Sequence, residues 1–238
     1  MPPVDLARTV SSNVGRQRRV HSRQATDRAL SRGQRMHDTP ENDPLTARAM
    51  LKWPNVPASH GWLGLDARGR WRIRGEPISH PGIVAFLARQ YRGDSTGAWY
   101  VQNGPQRAFV DLELAPWVLR LDGAGALVTH TGARIAAAHA LLVSDTGHLY
   151  LVTPAGAGVV SDRDLAAFLG CLVLDGHPGD SDAVAERLLA LTAGTFGPWL
   201  TWHGCRLQVR GIADIDVERA CGFVRRPRPR DDRAAADA

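Results

Sequence analysis

The sequence predicts an α+β fold of short-stranded antiparallel sheets with a few helices, in a pattern that also reads as two similar hairpin-plus-helix units. Short runs alternate apolar and polar residues, as in Ala108, Val110, Leu112 and Leu114, which share one strand face. Gly- and Pro-containing turns punctuate those runs, and apolar stretches of helical spacing follow Ser79, Ser161 and Ser181.

Residues 70–74 alternate strictly, so Arg70, Arg72 and Arg74 fall on one strand face and Trp71 and Ile73 on the other. Ser79 is placed to cap a helix over 81–91 that carries Ile83, Val84, Phe86, Leu87 and Tyr91. Residues 99–102 and 108–114 flank Asn103-Gly104-Pro105-Gln106 as a hairpin. Strands follow at 118–121, 127–130 and 141–143, then a helix bearing Phe168 and Leu169, a helix over 182–193, and a hairpin of 199–203 with 206–210 around Gly204. Residues 65–73 resemble 143–151, with Gly69 answered by Gly147, and each copy leads to a helix with a Phe-Leu pair. That likeness divides the domain, 53–224, into 53–140 and 141–224.

The chain has 238 residues, 44% of them hydrophobic, enough for one sizeable core. No window approaches the roughly 18 apolar residues of a membrane span, and the N-terminus lacks the apolar stretch of a signal peptide, so a cytoplasmic location without membrane contact is expected. Cys171, Cys205 and Cys221 are an odd, widely spaced set, which fits a reducing compartment. The net charge of +5 sits at the ends. Arg8, Arg16, Arg18, Arg19, Arg23, Arg28, Arg32 and Arg35 stand against Asp5 and Asp27, and a second basic run holds Arg225, Arg226, Arg228 and Arg230. Residues 1–52 and 225–238 lack a sustained apolar period and read as disordered, and Met36 or Met50 is an alternative start. Nucleic-acid binding would then be weak, salt-sensitive and confined to these tails.

The runs 71–87 (Trp-Arg-Ile-Arg-Gly-Glu-Pro-Ile-Ser-His-Pro-Gly-Ile-Val-Ala-Phe-Leu), 97–107 (Gly-Ala-Trp-Tyr-Val-Gln-Asn-Gly-Pro-Gln-Arg) and 115–119 (Ala-Pro-Trp-Val-Leu) resemble a proteobacterial family of unknown function. Through Gly-x-Pro-Ile, Trp-Tyr-Val and Ala-Pro-Trp-Val the order of elements is also similar to a second bacterial family, built from two similar α+β units. The likeness covers 53–224, implies the fold and the repeat, and supplies no catalytic residues.

Arg70, Arg72 and Arg74, led by Arg68, could bind a phosphate or a polyanion, or could pair with Asp111 and Glu113 across a sheet. Gln102, Asn103, Gln106 and Arg107 form a polar loop beside Trp99, Tyr100 and Phe109, a composition suited to a small-molecule or peptide site and equally to a turn. His80 with Arg107 and Asp111 would be the dispersed site of an enzyme; His80 alone fits a helix start. Cys171, His177, His203, Cys205 and Cys221 lack metal-ligand spacing, phosphate-loop and dinucleotide motifs are missing, and no cofactor is implied. Trp62, Trp117 and Trp202 read as core. The leading reading is a non-catalytic binding or regulatory module for a small molecule or a protein, acting through residues 68–113.

Overall fold

The computed structural model describes residues 56–174 and 181–229, so the expectations for 1–52 and 230–238 lie outside it. The first sheet begins with β1 (Ser59–Leu65), β2 (Trp71–Ile73) and β3 (Glu76–Pro77) as successive hairpins. Helix α1 (Pro81–Gln90) then leads to β4 (Tyr91–Gly93) at the opposite edge, and β5 (Trp99–Asn103) and β6 (Gln106–Leu112) return to the middle. The strand order is β3-β2-β1-β6-β5-β4, with β6 parallel to β1. Helix α1 starts at Pro81, where the sequence places it, but its N-cap is His80 rather than Ser79 and no side chain caps it. The His80 carbonyl accepts from the Ile83 and Val84 amides, and Pro81 takes the first helical position, where its missing N–H costs nothing.

The second sheet contains β7 (Trp117–Leu121), β8 (Leu127–Thr129), β9 (Ala140–Ser144), β10 (Leu149–Thr153), β11 (Gly156–Val160), β12 (Val173–Leu174), β13 (Phe196–Trp202) and β14 (Cys205–Ile212). Its order is β12-β13-β14-β9-β10-β11-β7-β8, with parallel pairs at β14/β9 and β11/β7. Both sheets are therefore mixed, which corrects the antiparallel expectation. Turn chemistry announces hairpins, whereas a parallel pair such as Leu63 with Val110 is closed by residues far apart in the chain. Helices α2 (Leu165–Gly170) and α3 (Ser181–Leu189) contribute Phe168, Val184 and Leu188 to the buried cluster that holds Leu141, Leu151, Leu200, Leu207 and Val209. Helix α4 (Val217–Cys221) follows a 3-10 turn at Asp214–Asp216. Among the described residues no helix is long and apolar enough to cross a membrane.

One turn design recurs five times among the described residues: 66–70, 94–98, 122–126, 129–133 and 144–148. Position 1 is Asp66, Asp94, Asp122, Thr129 or Ser144; its amide donates to the carbonyl of position 5, and its carbonyl accepts from the glycine amide at position 4. Its side-chain oxygen then caps the amide of position 5, at 2.8–3.1 Å. The glycines Gly69, Gly97, Gly125, Gly132 and Gly147 all lie at φ between 77° and 91°. This is a three-residue hairpin loop with a left-handed fourth residue, and the Asp or hydroxyl oxygen replaces the water its amides would otherwise need. The sequence likeness of 65–73 to 143–151 is two instances of this turn.

The interior beneath the first sheet is aromatic. Tyr91 stands edge-on to Trp71 (centroids 5.1 Å) and Trp117 (5.4 Å), and Trp99 packs on Trp117 at 4.8 Å. The Tyr91 hydroxyl donates to the Pro116 carbonyl and Trp117 Nε1 to the Ala155 carbonyl. His130 completes the cluster, 5.4 Å from Trp71 and 5.6 Å from Tyr91. Its Nδ1 accepts from the Val118 amide, so Nε2 carries the proton, and that buried atom has no hydrogen-bond partner. Burial, aided by the Arg120 charge, pushes the His130 pKa down to about 3. The folded chain thus keeps His130 neutral where an unfolded chain, with a value near 6.5, takes up a proton. Stability from this residue is whole above about pH 6.5 and is lost as pH falls toward 3. Urea titrations should show a loss of about 2 kcal/mol from this residue between pH 6.5 and 5, and none for His130→Leu; equal slopes would disprove the assignment.

The domain does not stop at Val224. The Val224 amide donates to the Gly97 carbonyl, and the Leu112 amide to the Arg225 carbonyl, so this segment lies where β5 and β6 diverge. Arg225 donates Nη1 to Asp214 Oδ2 (2.7 Å), Nη2 to the Tyr150 hydroxyl and Nε to the Leu114 carbonyl, while its amide donates to Glu218 Oε1. The boundary drawn after 224 is corrected accordingly: Arg225 is an internal tie between the two sheets, and composition cannot distinguish it from its solvated neighbours.

Candidate ligand-binding cleft

The predicted site residues separate into three places. Arg70 and Arg72 converge on Asp66, with Nε distances of 2.8 and 3.2 Å. Burial raises the Asp66 pKa, but the Arg70 and Arg68 amides and the Arg70 guanidinium outweigh it and hold the carboxyl below its usual range. The expected pairing of the stripe with Asp111 and Glu113 is corrected. Arg72 and Asp111 do share a face, but both are opposite Gly64, because β1 lies between their strands. Glu113 instead accepts from the Ala67 amide. Arg74 has φ 50°, ends the alternation and stacks over Trp62 at 3.7 Å. Trp62 is half exposed, which corrects its assignment to the core; Trp117 and Trp202 are buried. Arg72→Ala should cost about 1 kcal/mol in thermal unfolding, because Arg70 still holds Asp66. A loss of several kcal/mol would mean that Arg72 alone neutralises that carboxylate.

The loop residues mostly serve their own hairpin. Gln102 is buried and its Nε2 donates to the Gly104 and Gln106 carbonyls, closing the turn. Gln106 Nε2 donates to the Pro57 carbonyl, Asn103 is exposed at the tip, and Trp99 is part of the aromatic core. His80 sits at the start of α1 and does not line a cleft with Arg107.

Arg107 is the predicted residue that reaches a concave surface. A cleft of about 600 Å³ is lined by His60, Asp94, Ser95, Thr96, Ala98, Arg107, Phe109, Val224, Pro227 and Arg228. The pleat of β6 puts Arg107, Phe109 and Asp111 on the outer face of the first sheet. His60 lies flat on Phe109, 4.5 Å between centroids and 13° between planes, where the irregular register near Gly61 brings it over β6. The Arg107 guanidinium stacks on Tyr100 at 4.5 Å. Arg228 comes from the C-terminal segment, with Nη1 3.9 Å from Asp111 Oδ1, an oxygen that is buried and has no hydrogen bond. Asp94 Oδ1 already accepts from the Thr96 amide and hydroxyl and the Ala98 amide. His60, Pro227 and Arg228 escaped sequence reasoning because an irregular strand and a distant segment deliver them. Among the described residues no three His, Cys, Asp or Glu side chains are grouped to hold a metal, and Cys171, Cys205 and Cys221 are free thiols.

A family model described as a protein of unknown function (DUF2946) matches residues 42–228. The chain belongs to this family. The matched stretch includes every residue that lines the cleft, Arg228 among them, and all fourteen strands of the described residues. The chain is similar in structure to a DUF1285 family protein from Silicibacter pomeroyi at 15% identity and TM-score 0.45, covering 76% of this chain and 94% of that one. It is also similar to one from Shewanella baltica at 16% identity and TM-score 0.35, covering 45% and 89%. No curated protein matches the chain.

Proposed function

We propose that this family member is a non-catalytic binding module whose ligand is a small molecule held in the cleft on the outer face of the first sheet. The observation that carries this reading is one concavity that gathers a stacked His60–Phe109 pair, two guanidiniums and two hydroxyl residues, within the usual size of ligand pockets. The dispersed-enzyme alternative loses support, since His80 sits at the start of α1 and does not line the cleft that Arg107 lines. Thermal-shift screening of the full chain against a metabolite library tests the reading. A hit should raise the melting temperature of the wild type and lose that effect in His60→Ala; a library of hits indifferent to His60→Ala would remove the cleft from consideration.

The two stretches 53–140 and 141–224 are, on this reading, copies of one unit. Supporting it, the order β3-β2-β1-β6-β5-β4 is matched by β11-β10-β9-β14-β13-β12, with β6/β1 and β14/β9 both parallel and a helix following the third strand in each. Each stretch expressed alone should gain protection from hydrogen exchange only when mixed with the other, because β7 of the first pairs with β11 of the second and Trp117 Nε1 donates to the Ala155 carbonyl. Independent cooperative folding of 141–224 would refute an obligatory pair.

A further inference from the structure

We infer that the cleft selects a flat aromatic or heteroaromatic oxyanion, a carboxylate or phosphate ester on a ring, with Arg107 and Arg228 as its two anchors. This rests on the binding-module reading and specifies its ligand. Charge is the first argument. The lining holds two guanidiniums and one carboxylate, and that carboxylate, Asp94, already accepts three donors within its own turn through Oδ1. Arg107 has an aromatic ring beneath it and exposed surface above, so its N–H fork is fixed in direction without being consumed. Arg228 faces the Asp111 carboxylate at 3.9 Å, near enough for attraction and too far for a hydrogen bond. A ligand oxyanion would therefore meet donors that are oriented and still able to bond, which a bidentate guanidinium contact exploits.

Shape supplies the second argument. At about 600 Å³ the cleft far exceeds one phosphate, and its remaining walls are flat or rigid: the parallel His60 and Phe109 rings, Pro227, Val224 and Ala98. Stacking on such walls favours a planar body, with Ser95 and Thr96 at the polar end. Neither wall nor anchors alone define the ligand. The residues that give charge and those that give flatness converge from β1, β5's preceding turn, β6 and the C-terminal segment.

Three probes divide the claim, titrated calorimetrically into the full chain: 2-naphthoate, its neutral amide 2-naphthamide, and inorganic phosphate. The expected result is that naphthoate binds at least tenfold more tightly than either of the others. Arg107→Gln and Arg228→Gln should each weaken naphthoate about tenfold while leaving naphthamide unchanged; melting curves of both variants confirm folding, which exposed side chains permit. If naphthamide equals naphthoate, or neither arginine matters, the oxyanion class is overturned and the binding module stands. If phosphate alone binds as well as naphthoate, the planar body is overturned. Failure of both ring compounds, together with a library screen without hits, defeats the module reading as well.

Discussion

Replacing Arg225 with Met should destabilise the chain by about 3 kcal/mol, the low end for removing one partner of a buried ion pair. The side chains of Arg225 and Asp214 are only 19% and 21% exposed, and the guanidinium also satisfies the Leu114 carbonyl and the Tyr150 hydroxyl. Methionine fills most of the volume and supplies none of those donors. The effect should depend on pH. Arg225, and then the Tyr150 hydroxyl, hold the Asp214 carboxyl below its usual range against its burial. Such a carboxylate contributes stability that is present above its unfolded value near 4 and is lost as pH falls through the folded value. Wild type and Arg225→Met should therefore differ most at neutral pH and converge in acid. A gap that stays constant down to pH 2 would assign the loss to packing alone.

Gly97→Ala should cost more than 3 kcal/mol and should unfasten the same segment. Its φ of 83° costs an L-residue about 1 kcal/mol or more. A Cβ there would also stand 2.5 Å from the Gly222 carbonyl oxygen and 3.0 Å from Phe223 Cα, atoms of backbone that cannot rotate away. The remaining four glycines of this turn design do not abut a backbone in that way; Gly69 meets only side chains of His130 and Val118, and Gly125, Gly132 and Gly147 meet open space. Gly147→Ala is accordingly the control, with a loss from φ alone of about 1 kcal/mol. Since Gly97 and Arg225 fix one segment, the double variant should lose less than the sum of the single losses. Additive losses measured by chemical denaturation would show that the two residues act on separate parts of the fold.

Local chemistry made the strands and helices legible: the alternation of Ala108, Val110 and Leu112, the Ser181 helix start and the Gly204 hairpin coincide with β6, α3 and the β13–β14 turn. The recurring turn is legible as well, written as Asp, Thr or Ser three residues before Gly, most openly at Gly69 and Gly147, where the flanking strands are also alike. What escaped depends on residues distant in sequence. Parallel pairing placed β1 between Arg72 and Asp111, so side chains predicted to meet share a face one strand too far apart. Of the predicted ligand residues only Arg107 lines the cleft, because Trp99 and Gln102 were consumed by packing and turn closure. Arg228 carries no signal that distinguishes it from Arg226; its role comes from the path imposed by Gly97 and Arg225.

The seating of residues 224 and 225 against Gly97 and Leu112 also has a consequence for biosynthesis. On the ribosome the first sheet emerges early, yet the amide of Leu112 and the carbonyl of Gly97 wait for partners more than a hundred residues downstream in the chain. The half-made sheet therefore keeps an open seam until residues 224 and 225 have left the ribosome and can dock. Until those residues dock, the unpaired strand edge is a site at which nascent chains can associate wrongly.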